Sequence, residues 1–118
     1  QVGAYHGEPM RRFLVLTLLS SACAGLPLPR ETLSDPGALL YNGYTSPKVD
    51  CFRCHNGDGT GVWGPSLVKR VPRLKAEKLA KVIRQGPGSM PKYEADVLSD
   101  AELQQLVDWL KGSFASAP

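Results

Sequence analysis

The clearest hydrophobic pattern lies near the C-terminal end of the chain. Leu103, Leu106, Val107 and Leu110 follow the i, i+3, i+4, i+7 rule of a helix that buries one face, and Trp109 adds a large surface beside them. Ser99 with Glu102 three residues on forms a capping-box signature at its start, and Gly112 is the expected stop. A second helix is expected from about Leu74 to Gln85. Leu79, Val82 and Ile83 recur on one side, Gly86 ends it, and Lys75, Lys78, Lys81 and Arg84 form a basic face. Ser34-Asp35-Pro36 supplies an N-cap and an early proline for a shorter helix. Gly37, Ala38, Leu40 and Tyr41 lie on it, and it ends near Asn42-Gly43. Residues 44–50, with Pro47, form a loop. Asn56-Gly57-Asp58-Gly59-Thr60-Gly61 is turn-rich, so helix or strand there is costly.

The first residues resemble a targeting segment more than a fold. Met10-Arg11-Arg12 gives a start and a basic region, Phe13 to Leu19 an apolar run, and Ala22-x-Ala24 a cleavage signal. Residues 1–25 are therefore expected to be an upstream extension plus signal peptide, 26–33 a Pro-containing flexible tether, and 34–118 the folded domain. The apolar run is too short to span a bilayer. Cys23 is read as the lipid-bearing first residue of a lipoprotein, as part of a leader cut after Ala24, or as part of a segment that is retained. Ser20 stands where a lipobox normally has Leu. The roughly 95 residues left after processing make one small domain, which buries little surface unless a cofactor adds to its core.

A net charge of +3 hides an asymmetry. From Lys48 to Lys92 ten Lys or Arg face three acids, whereas from Tyr93 onward five acids face only Lys111. Such a distribution can steer the molecule to an acidic partner, or it can simply be a set of solvated helix faces. Export and the small total charge argue against nucleic acid.

Cys51-Phe52-Arg53-Cys54-His55 is the strongest chemical signal. The C-x-x-C-H spacing lets two thiols add to the vinyl groups of one porphyrin while the adjoining imidazole lies under the iron, giving covalent haem c. Two other uses of Cys-x-x-Cys fit worse. A zinc cage needs two further ligands, and no Cys or His follows His55. A thioredoxin-like pair expects a βαβ pattern, but the flanks are Gly-rich loop and helix.

The occupant of the sixth iron position decides the function. Met90 is the only methionine after Met10, and it sits in Gly86-Pro87-Gly88-Ser89-Met90-Pro91, a loop poor in apolar residues and suited to close approach to a flat ligand. A thioether there favours the ferrous state. His6 is lost with the leader. With both axial positions filled, the iron exchanges electrons and binds no substrate. His55 needs an acceptor for its other ring N–H, for which the Pro65 carbonyl is the candidate, although Gly64-Pro65 also reads as an ordinary turn.

These residues together resemble the class I cytochromes c, the small monohaem electron carriers, from about Gly37 to Leu110. The likeness rests on Gly37 and Tyr41, the Cys51–His55 motif, Gly64-Pro65-Ser66-Leu67, Met90-Pro91, and Leu106, Trp109 and Leu110. It implies an all-α cytochrome c fold of three to four short helices around one covalently bound haem, with the first and last helices crossing. It implies that Gly37 permits this crossing, that Tyr41 packs near Leu106 or Trp109, and that Pro65 accepts from His55. The loop between Tyr41 and Cys51 is longer than usual, and the stretch from His55 to Met90 is short, which exposes one haem edge. Lys69, Arg70, Arg73 and Trp63 are candidates for the propionates. The expected function is one-electron transfer between larger redox proteins, with no catalytic residues. A fixed subunit of a respiratory or dehydrogenase complex is the main alternative, and a gas-binding or peroxidatic haem protein a third.

Overall fold

A computed structural model describes residues 24–115 together with Gly3. The leader readings, including Cys23 and His6, lie outside the described residues. Helices α1 (Pro36–Tyr41), α2 (Phe52–His55), α3 (Leu67–Arg70), α4 (Ala76–Gln85) and α5 (Asp100–Phe114) form the domain, with 3-10 turns at Arg30–Thr32 and Val71–Arg73. No strand occurs among the described residues, so the fold is all-α. Five helices replace the expected three to four. The added ones, α2 and α3, are single turns too short to leave a hydrophobic period in the sequence.

Helix α1 starts where the side chain of Asp35 accepts from the amides of Gly37, at 2.7 Å, and Ala38. Pro36, which has no N–H to lose, occupies the first turn. The helix stops at Asn42, and Gly43 turns the chain away at φ +75°. Helix α5 begins on a complete capping box: Ser99 accepts from the Glu102 amide, and the Glu102 carboxylate accepts from the Ser99 amide. Its buried stripe is Leu103, Leu106, Val107, Leu110 and Phe114, each worth about 2 kcal/mol of removed apolar surface.

Gly112 does not end this helix. It faces open space, and α5 continues to Phe114, whose ring is buried against Gly59 and 5.8 Å from the Trp109 ring. Burying that ring outweighs the roughly 1 kcal/mol a mid-helix glycine costs.

Helix α1 crosses α5 at Gly37. A Cβ there would run into the Gln105 carbonyl oxygen and the Trp109 Cβ, so only glycine permits this approach. Tyr41 then stacks obliquely on Trp109, ring centroids 5.0 Å apart. Helix α4 buries Leu79 and Ile83 and ends at Gly86, φ +58°. Its start at Ala76 is two residues later than expected, because Lys75 is extended. Lys111 of α5 donates to the carbonyls of Val71 (3.2 Å) and Leu74 (2.7 Å), tying the turn after α3 to the last helix.

The stretch 26–33 is not a detached tether. Gly25 N–H donates to the Arg53 carbonyl (2.8 Å), Leu26 N–H to Asn56 Oδ1 (3.0 Å), and Leu28 N–H to Asn42 Oδ1 (2.8 Å). The Tyr44 hydroxyl donates to the Leu28 carbonyl at 2.6 Å. The cause is a shortage at the end of α2: its last carbonyls have no intrahelical donor, and Gly25 supplies one for Arg53.

Candidate functional site

The attachment motif occupies α2 and the residue before it. One helical turn sets Cys51, Cys54 and His55 side by side: Cys54 is exposed, Cys51 half-buried and His55 buried. Burial first, with the charges of Asp50 and Cys54 adding to it, pushes the Cys51 thiol up to about 12. It is therefore a neutral S–H at ordinary pH. A thioether made from it would no longer titrate.

Residues 56–66 fold back over this turn on their own backbone. Gly61 N–H donates to the His55 carbonyl (2.9 Å), and Val62 N–H (2.9 Å) and Gly64 N–H (2.8 Å) both donate to the Cys54 carbonyl. Gly59 and Gly61 adopt φ of +74° and +92°, which other residues enter only with strain. Asp58 accepts from the Thr60 hydroxyl (2.7 Å), the Thr60 amide (3.0 Å) and the Asn56 side-chain amide (2.8 Å).

This loop brings the Pro65 carbonyl to 2.9 Å from His55 Nδ1. A carbonyl only accepts, so Nδ1 carries the proton and Nε2 keeps its lone pair. Gly64 lies flat against the ring: a Cβ on it would sit 2.6 Å from His55 Cε1. At the end of α2 the Tyr41 hydroxyl donates to the Asn56 carbonyl at 2.6 Å.

Met90 lies in the loop between α4 and α5, half-buried against the core. Its amide donates to the Pro87 carbonyl (3.1 Å), closing a turn over residues 87–90 that contains Gly88 at φ +62° and follows Gly86 at φ +58°. Tyr93, three residues on, is buried, and its hydroxyl is held above its usual range by burial and then by the charges of Cys51 and Asp50. Tyr93 belongs to the buried cluster against which both Cys51 and Met90 pack. Tyr41 is raised for the same reasons, burial first and Cys51 second. Tyrosines from α1 and from the Met90 loop thus share one buried cluster, with Cys51 packed against it.

Two residues escaped the sequence reading. Arg84 does not join the basic face of α4, because its guanidinium turns inward to the Tyr93 and Leu98 carbonyls and to Asp100. Asn42, almost fully buried, ties the leader to α1 by accepting from Leu28 N–H and donating to the Ala38 carbonyl (2.9 Å). Neither carries a signal in the linear pattern, since Arg84 reads as one cation among four and Asn42 as a helix stop. Lys69, Arg70, Arg73 and Trp63 are all exposed, and no contact singles one out for a propionate.

The residues fit a covalently bound porphyrin. Two thiols stand on one turn, the adjoining imidazole is fixed with its Nε2 lone pair free, and a glycine keeps the space beside the ring narrow. A small all-α domain with this arrangement defines a c-type cytochrome. Residues 35–110 match the family described as cytochrome c oxidase, cbb3-type, subunit III. The chain is 31% identical to cytochrome c-551 of Bacillus subtilis over 99 residues, covering 80% of this chain and 85% of that protein. It is 26% identical to cytochrome c-555 of Methylococcus capsulatus over 101 residues, covering 84% and 76%. The chain belongs to this c-type cytochrome family, whose cofactor is covalent haem c, and it is an electron-transfer protein. No helix among the described residues is long and apolar enough to cross a membrane.

Proposed function

We propose that the protein is an exported one-electron carrier in which Cys51 and Cys54 hold the haem through thioethers, and His55 Nε2 and the Met90 sulfur are its axial ligands. The observation that carries this reading is the braced His55: its Nδ1–H is committed to the Pro65 carbonyl at 2.9 Å, and its ring is buried against Gly64. That bond fixes the tautomer and makes Nε2 a better donor. When bound, the haem supplies a one-electron iron couple, and a thioether ligand raises its potential relative to a second imidazole. The protein's part is to keep both ligands in place and water away.

The exposed lysines Lys78 and Lys81 of α4 and Lys75 just before it, with Lys69 and Arg70 of α3, favour a partner with an acidic docking surface. Electron exchange with that partner slows as salt is added. The match to an oxidase subunit family supports a second reading, in which the same domain is fixed in a membrane respiratory complex.

Met90→Ala tests the ligand set. Loss of the sulfur-to-iron absorption band and rapid carbon monoxide binding by the reduced protein are expected, and an unchanged band overturns the assignment. If unaltered protein already binds carbon monoxide rapidly, a gas-binding role takes its place. Co-purification from native membranes separates carrier from subunit. Intact mass tells a chain that keeps a lipid-bearing Cys23 from one cut after Ala24.

A further inference from the structure

The Met90 loop is closed at its base by one side chain. Arg84 stands in the last turn of α4 with its side chain 24% exposed. Its Nη1 donates to the carbonyls of Tyr93 (2.8 Å) and Leu98 (2.6 Å), and its Nη2 pairs with Asp100 at 2.6 Å. Tyr93 and Leu98 are buried and bracket a turn in which the amides of Val97 (3.0 Å) and Leu98 (2.9 Å) both donate to the Glu94 carbonyl. One planar group therefore joins the end of α4, both ends of that turn and the start of α5.

Apart from the burial of Tyr93 and Leu98 and the close approach of Gly86 to the Met90 and Pro91 carbonyls, few contacts restrain the segment, and its other hydrogen bonds are weak or local. Tyr93 N–H reaches the Ile83 carbonyl at 3.4 Å, near the limit of a hydrogen bond, and Met90 is tied through its amide only to Pro87. Gly88 has no atom within 4 Å of where its Cβ would stand.

We propose that Arg84 is the positioning residue of the Met90 loop: by pinning the Tyr93 and Leu98 carbonyls it keeps the Met90 sulfur at the iron and sets how readily another ligand displaces it. The proposal rests on the reading of Met90 as an axial ligand. Arg84 touches neither iron nor sulfur and acts through the backbone. A lysine, a point donor without the fork, cannot span two carbonyls and a carboxylate in one plane.

The test uses oxidised, haem-bearing protein with imidazole as competitor, following decay of the sulfur-to-iron band by stopped flow. Arg84→Gln is expected to speed displacement about tenfold, the equivalent of one net hydrogen bond. Arg84→Lys should give a smaller acceleration. Asp100→Asn should stay within about twofold, because Asp100 is 95% exposed and the pair is screened. Amide exchange supplies a readout independent of the iron. In Arg84→Gln the Met90 and Tyr93 amides should lose protection while those of Gly61 and Val62 keep it. A purely structural role would speed both sets alike, and that result, or a displacement rate equal to the unaltered protein's, overturns the proposal.

Met90→Ala separates the two ideas. If it abolishes the band and binds imidazole at once while Arg84→Gln remains slow, only the Arg84 role fails. If Met90→Ala keeps the band, the ligand reading fails, and selective loss of amide protection still reports whether Arg84 clamps the loop.

Discussion

Residues 51–66 carry most of their own scaffolding, whereas residues 86–98 borrow more of theirs. In the first segment the carbonyls of Cys54 and His55 are capped by amides six to ten residues away, and Pro65 reaches His55 within the same loop. In the second, the loop has one short turn of its own at Met90 and another at Glu94, and the side chain of a neighbouring helix holds its ends together. The difference matches what each side must do. In the proposed ligand set the histidine side has to present a fixed nitrogen with one tautomer, which suits a dense local network. In that proposed set the methionine side contributes a soft, flexible thioether, which suits a loop whose geometry is set from outside.

The largest effect expected from this contrast is that of Gly64→Ala. The new Cβ would stand 2.6 Å from His55 Cε1 and 2.8 Å from Nδ1, so either the ring or the Pro65 bond must move. A loss of roughly 2–3 kcal/mol in denaturant unfolding is expected, as for overpacked cores, with less haem-bearing protein by mass. Tyr41→Phe comes next. Removing the 2.6 Å bond to the Asn56 carbonyl should cost about 1.5 kcal/mol in the same measurement. Gly88→Ala should cost only about 1 kcal/mol, the strain of φ +62°, because nothing lies near its Cβ. If it cost as much as Gly64→Ala, the methionine loop would be as tightly packed as the histidine loop and the contrast would vanish.

The smallest effect is electrostatic. Hydrogen bonds from the Thr60 hydroxyl and then its amide hold the Asp58 carboxyl below its ordinary value of 3.8. A lowered folded value means the stabilisation is present above that ordinary value and disappears as pH falls through the folded one. An NMR titration of Asp58 should therefore show a midpoint below 3.8, and Asp58→Asn should remove this part of the acid sensitivity. A midpoint at or above the ordinary value would show that the loop is looser than its hydrogen bonds imply.

The chemistry of the attachment turn, the two terminal helices of the domain and their caps were legible because each depends on residues within one or two turns of one another. Cys51, Cys54 and His55 are adjacent in the chain, and the Ser99–Glu102 box closes over three residues. The end of α5 was misread at Gly112 because the ring that carries the helix onward is buried against Gly59, far away in sequence. The docking of residues 25–28 is illegible for a similar reason: their partners are the Arg53 carbonyl of α2 and the side-chain oxygens of Asn56 and Asn42.

The sequence by itself determined which atoms can hold a porphyrin, since covalent attachment demands a fixed spacing along the backbone. Only the tertiary structure decided how firmly each side of that site is held. A guanidinium's partners are set by where a fold delivers bare carbonyls, and Arg84 is indistinguishable from Lys81 until α4, the Met90 loop and α5 have come together.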